Sequence, residues 1–125
     1  IESGKPVVGI RTANHAFSLR GKPVPEGLAD WENFDAEVIG GNYSNHHGDG
    51  PKVKLTIADD AAGHAILTGV DPASFVGNGS LYVCKPLKES TQRLLTGAID
   101  GKEPEPIAWT NIRADGGRTF YTSLG

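Results

Sequence analysis

Apolar positions along this chain come in short bursts separated by polar stretches that carry glycine or proline, a pattern that predicts many short strands and few helices. Val7, Val8 and Ile10 follow the Gly4-Lys5-Pro6 turn as one compact apolar run, which is how a strand covered on both faces of a parallel sheet reads, so a central strand is predicted over residues 6–12. A helical turn is predicted over 13–17, and 20–27, interrupted by Pro23, Pro25, Gly21 and Gly27, is loop. The clearest helix covers 31–39. Trp31, Phe34, Val38 and Ile39 share one face there, Asp30 stands at the N-cap position, and Gly40-Gly41 ends the element. Residues 42–51 read as a polar, glycine-rich loop holding Tyr43, His46, His47 and Asp49.

Farther on, Val53, Leu55 and Ile57 alternate with Lys52, Lys54 and Thr56, the period of a half-buried strand at a sheet edge or with one face in water. Residues 64–68 predict one helical turn, and 80–84 and 93–99 predict strands. The segments 107–112 and 118–123 flank Ala114-Asp115-Gly116-Gly117, whose residues tolerate positive φ, and together read as a β-hairpin. Trp109 and Tyr121 on its strands are assigned to the core.

Composition narrows the class. A chain of 125 residues with 38% apolar and 22% charged residues suits one globular domain and lies far from the signature of disorder. A net charge of -3 with no clustering of either sign argues against a nucleic-acid binder that tracks phosphates with a basic face. No apolar run approaches the roughly 20 residues of a membrane span. The single Cys84 rules out an intrachain disulfide and a CxxC pair, which leaves the compartment open. With no methionine and an Ile1-Glu2-Ser3-Gly4 start, the expectation is a processed chain or part of a longer one.

Chemistry concentrates in two places. Arg11, Thr12, Asn14 and His15 follow the first apolar strand, and open α/β sheets present ligand sites at the carboxyl ends of their strands. Arg11 suits a carboxylate or phosphate, or a buried ion pair; His15 suits proton transfer near neutral pH, or a loop contact. The second place is Asn45-His46-His47-Gly48-Asp49, where imidazoles and a carboxylate suit a metal ion or a sugar hydroxyl. Side chains of adjacent histidines diverge in extended backbone, so at most one reaches a given centre. Trp31 and Tyr43 offer rings for stacking on a sugar face, with helix packing the competing role for Trp31. His64 is read as a packing residue, and Asp59-Asp60 and Glu103 to Glu105 as solvated. GxSxG, Walker A, HExxH and EF-hand patterns are absent.

Three stretches, Val7-Val8-Gly9-Ile10-Arg11-Thr12-Ala13-Asn14-His15-Ala16-Phe17, Gly40-Gly41-Asn42-Tyr43 through His46, and Pro106-Ile107-Ala108-Trp109-Thr110 with Phe120-Tyr121-Thr122-Ser123-Leu124-Gly125, resemble the ThuA-like, or trehalose-utilisation, family. The likeness runs across essentially the whole chain, and the two closing segments are its most specific parts. It implies a flavodoxin-like α/β fold of the class I glutamine amidotransferase-like superfamily, a mixed sheet with flanking helices, and a site at the bend after a central strand. It also implies that residues 1–125 are one domain, the C-terminal part of a longer one without its first strands. Arg11 stands where amidotransferases of that superfamily carry a cysteine nucleophile, so glutamine hydrolysis through a thioester is not expected.

The resulting expectation is a ThuA-like domain that binds or transforms a sugar-derived small molecule in carbohydrate catabolism, as a hydrolase or lyase if it is an enzyme. His15 and His46 would transfer protons; Arg11, Asn14, Trp31, Asn42, Tyr43 and His47 would bind substrate. No cofactor is expected. The alternatives are a non-catalytic carbohydrate-binding module and a metal-dependent hydrolase that uses a divalent ion held by His15, His46 or His47 with Asp49. The partner is a small carbohydrate, with a second copy or the remainder of a longer chain left open.

Overall fold

Seven short strands connected by turns make up the computed structural model, which describes residues 3–125; Ile1 and Glu2, at the start from which a longer chain was expected, lie outside the described residues. The strands are β1 (Val7–Ile10), β2 (Gly41–His46), β3 (Lys54–Ile57), β4 (Tyr82–Leu87), β5 (Thr91–Ala98), β6 (Glu105–Ile112) and β7 (Arg118–Thr122). Five form a mixed sheet in the order β1-β7-β6-β5-β3, and β2 pairs with β4 as a separate antiparallel ribbon. Within the large sheet β1 runs parallel to β7, and the other neighbours are antiparallel. The class is thus α/β with a mixed sheet, but helical elements are sparse and short. No helix of the described residues is long and apolar enough to cross a membrane.

The hairpin forms as its turn chemistry predicts. Asp115 accepts from the backbone N–H of Gly117 at 3.0 Å and of Gly4 at 3.1 Å, and Gly116 takes φ +76°. The half-buried strand is also as expected: β3 lies at a sheet edge with Leu55 buried and Lys54 and Thr56 exposed.

Four expectations are corrected. The first strand is not central. It lies at the other edge of the sheet, with Val8 69% and Ile10 56% exposed, because β7 pairs with one side of it only. An apolar run of this length does not distinguish an edge strand from a central one. The helix over 31–39 shrinks to one π-helical turn, Asp35–Ile39, closed by Gly40 N–H donating to the Asp35 carbonyl at 2.7 Å. Asp30 does not cap it, since its carboxylate accepts from the Leu19 N–H at 2.8 Å. Asp35 itself takes the N–H groups of Ala36 and Tyr43, a side-chain competition that breaks regular helix.

The third correction is the loop over 42–51, whose first half is strand β2. Its Asn, Ser and His residues carry no strand propensity, so the ladder comes from β4, with irregular register around Tyr43. The fourth is Glu105, expected in solvent but 4% exposed and paired with Lys85 Nζ at 3.1 Å.

Two apolar clusters hold the molecule together. One gathers Val53, Leu55, Leu67, Leu81, Leu94 and Ile107. The other packs Phe34, Val38 and Ile39 from the π-helical turn, and Tyr82 and Cys84 from β4, against Trp109 and Tyr121. Trp109 and Tyr121, neighbours across the hairpin, have ring centroids 4.5 Å apart and are fully buried. Trp109 also donates its indole N–H to the Ile39 carbonyl at 2.8 Å, one residue before Gly40 takes φ +89°. A Cβ at Gly40 would lie 2.6 Å from Asn111 Cγ, so both conformation and space require glycine there.

Trp109→Phe removes that donor and leaves the buried Ile39 carbonyl without it, along with a cavity where the larger ring was. The expected loss is about 2–4 kcal/mol of unfolding free energy, read from the denaturant midpoint at unchanged slope.

Candidate functional site

Strand β1 ends in a bend. Arg11 takes φ +51°, a left-handed conformation that costs a non-glycine residue roughly 1–2 kcal/mol, and opens the 3-10 turn Arg11–His15. The bend is held from both its backbone and its side chain. Tyr121 OH donates to the Arg11 carbonyl at 2.7 Å, while Arg11 Nη1 donates to the carbonyls of Ser123 at 3.0 Å and Ser80 at 3.4 Å. Gly79 makes room for the guanidinium: a Cβ there would meet Nη1 at 2.7 Å. The guanidinium carbon lies 4.7 Å from the centre of the Tyr82 ring.

The turn delivers Asn14 inward and His15 to a groove. Asn14 is fully buried, and its amide nitrogen donates to Cys84 Sγ at 3.3 Å. Its carbonyl oxygen therefore faces His15 Nδ1, 2.7 Å away. A carbonyl only accepts, so Nδ1 carries the hydrogen and the neutral imidazole keeps its lone pair on Nε2. The groove has a volume of about 290 Å³ and is lined by Asn14, His15, Arg20, Glu32, Asp35 and Tyr43, with Ser18 and Ser44 completing it.

Strand β2 supplies the facing wall. Tyr43 stacks on His15 with centroids 4.3 Å apart and planes 25° from parallel, and its hydroxyl bonds His46 Nδ1 at 2.7 Å. Tyr82 packs edge-on to Tyr43 at 5.0 Å, so one aromatic stack runs from the groove to the Arg11 guanidinium behind it. On the groove side Arg20 lies 5.2 Å from the Tyr43 ring centre.

Burial, then the neighbouring Arg20 charge, lowers the His15 pKa from its ordinary 6.5; Asp35 opposes the shift and His46 adds to it. The imidazole is consequently neutral at pH 7 and able to accept a proton. Cys84 is the reverse case. Burial pushes its thiol up to about 12, so it is fully protonated and enclosed, an acceptor for Asn14 rather than a nucleophile.

Of the residues singled out from sequence, His15, Asn14, Tyr43 and His46 come together. Arg11 does not line the groove, because the backbone carbonyls of Ser80 and Ser123 occupy its side chain. Trp31 is partly exposed, donates its indole N–H to Glu37 at 2.8 Å and packs edge-on to Phe34, outside the groove lining. Asn42, His46 and His47 also fall outside that lining, His46 being joined to it through the Tyr43 hydroxyl. His47 donates its backbone N–H to the Leu81 carbonyl at 2.8 Å, and its Nε2 is enclosed without a hydrogen-bond partner. Among the described residues no group of three or more His, Cys, Asp or Glu is placed to hold a metal ion.

Sequence reading missed Arg20, Glu32 and Asp35. Arg20 sits at φ +53° at the head of a stretch of glycines and prolines that reads as bare loop, and Glu32 and Asp35 fall within a segment that reads as amphipathic helix. None carries a local signal of shared location.

By NMR titration His15 should protonate below pH 6.5, and Arg20→Gln should move that midpoint upward by removing a repelling charge. Between the lowered folded value and 6.5 the unfolded chain binds the proton more readily, so stability should fall as pH falls through that window and level off beneath it. A His15 midpoint at or above 6.5 would contradict the assigned electrostatics.

Comparison of the chain with protein-family models, with curated proteins and with solved structures gave no match.

Proposed function

We propose that the groove between the Arg11–His15 turn and β2 binds and transforms a sugar-derived small molecule, with His15 as the group that takes and returns a proton. The observation that carries this reading is the Asn14–His15 pair. A buried amide, itself fixed by Cys84, holds the imidazole in one tautomer at the wall of a polar groove and leaves Nε2 basic. Near 290 Å³ the groove is at the small end of ligand sites, about right for a monosaccharide-sized molecule. Tyr43, bridged to His46 through its hydroxyl, would orient substrate hydroxyls or pass the proton outward.

The reading agrees with the ThuA-like resemblance, in which the site follows the first strand of this segment. It is supported by a strained non-glycine residue at the strand end, the backbone form in which catalytic bends are built. The finer fold assignment, flavodoxin-like, belongs to the same proposal and draws its support from the parallel β1–β7 pair with the bend at its carboxyl end. Amidotransferase chemistry is not part of it: Arg11 is at the bend, and the protonated Cys84 thiol has no route to attack.

The test is turnover on a panel of keto-sugars and disaccharides. His15→Gln should lower kcat by roughly 10²–10⁴-fold, the range for loss of a general acid–base, while Cys84→Ser retains most of the activity. Full activity in His15→Gln would remove the catalytic assignment. Saturable binding with no product would make the groove a recognition site.

A further inference from the structure

Arg20 is a strained residue of this groove to which the proton-transfer reading gives no contact with the ligand. It follows Ser18, whose hydroxyl accepts the Arg20 N–H at 3.2 Å, and precedes Gly21 at φ +76°, so the backbone turns sharply at both residues. The loop is tied down by Leu19 N–H to Asp30 and by Trp31 N–H to the Phe17 carbonyl. The cost of a left-handed arginine is thus met by the surrounding contacts, and its effect is to stand a guanidinium over Tyr43 at the groove wall.

Among the described residues that guanidinium has no ion-pair partner. The two ion pairs among the described residues are Lys85–Glu105 and Arg113–Asp115, and neither includes it. Its contact with the Tyr43 face steadies the plane and leaves the N–H edges available, the geometry with which arginine takes a carboxylate through two parallel hydrogen bonds.

We infer that Arg20 selects the ligand's charge, and that the molecule bound beside His15 is a sugar acid whose carboxylate pairs with this guanidinium. The inference rests on the proton-transfer reading of the same groove and names its substrate class. Local charge favours a monoanion over a phosphate ester. Glu32 and Asp35 line the same groove, so a dianionic phosphate would meet two carboxylates against a single arginine.

Calorimetry and His15 imidazole NMR on the whole chain, with D-glucose, D-glucuronate and D-glucose 6-phosphate as probes, test this. Glucuronate should bind at least about tenfold more tightly than glucose and move the His15 resonances. Arg20→Gln should bring the two affinities together, Arg20→Lys should keep part of the gap, and Glu32→Gln should widen it. Arg20 is exposed, and circular dichroism checks that the variants remain folded. Equal affinity for glucose and glucuronate at His15, a preference that survives Arg20→Gln, or tighter binding of the phosphate would overturn the inference and leave the proton-transfer reading standing. If none of the three probes moved His15, the sugar-acid inference would fall, and the turnover panel with His15→Gln would still decide the proton-transfer reading.

Discussion

The phenol of Tyr121 donates to the carbonyl of Arg11, and this bond closes the bend that sets up the groove. Tyr121 comes from β7, where it lies in register with Gly9 of the parallel strand β1, so its hydroxyl reaches the first residue past the strand. Left-handed backbone at Arg11 costs roughly 1–2 kcal/mol, an amount that one partly buried hydrogen bond and two arginine–carbonyl bonds can offset. Without the bend the chain would continue along β1, and Asn14 would not reach Cys84. The catalytic proposal therefore depends on the packing of a hairpin whose turn lies far from the groove.

A second set of contacts brings the opposite wall to the same place. Asp35 accepts from the backbone of Ala36 and from that of Tyr43, which joins the π-helical turn to the start of β2. Trp109 holds the end of that turn through the Ile39 carbonyl, and Gly40 reverses the chain into the ribbon. Tyr43 and His46 are thus positioned from the core outward, and the Tyr43 ring meets His15 because both walls are referred to the same pair of buried aromatics on the hairpin.

What could be read in the sequence follows from the range over which each signal acts. The hairpin and β3 were legible because turn residues and period-two alternation are local. The edge position of β1 was not, since Val7, Val8 and Ile10 give the same run whether one neighbour or two pair with the strand. Strand β2 was invisible because its order is imposed by β4, some forty residues on, over side chains that do not favour strands. The same limit governs the site. His15 and Asn14 are adjacent in sequence and their partnership could be suspected from the strand end, whereas Arg20, Glu32 and Asp35 join them only through the tertiary path. The contacts of Arg11 were not legible for a related reason: its partners are backbone carbonyls, which every residue carries and no sequence pattern marks.

Arg11 and Cys84 are both held away from chemistry, which is why the proposed function assigns the proton transfer to an imidazole. At the bend the side chain is an arginine turned back to bind the carbonyls of Ser80 and Ser123. It contributes order to the segments around it and carries no reacting atom. The thiol of the chain is buried, protonated and set against Asn14, where its sulfur accepts the amide hydrogen. That acceptance decides which end of the amide faces His15, and so which ring nitrogen holds the proton. The proposed chemistry is thus assigned not to the strand end but to the residue four positions on, whose tautomer is set by a buried sulfur through one intervening amide.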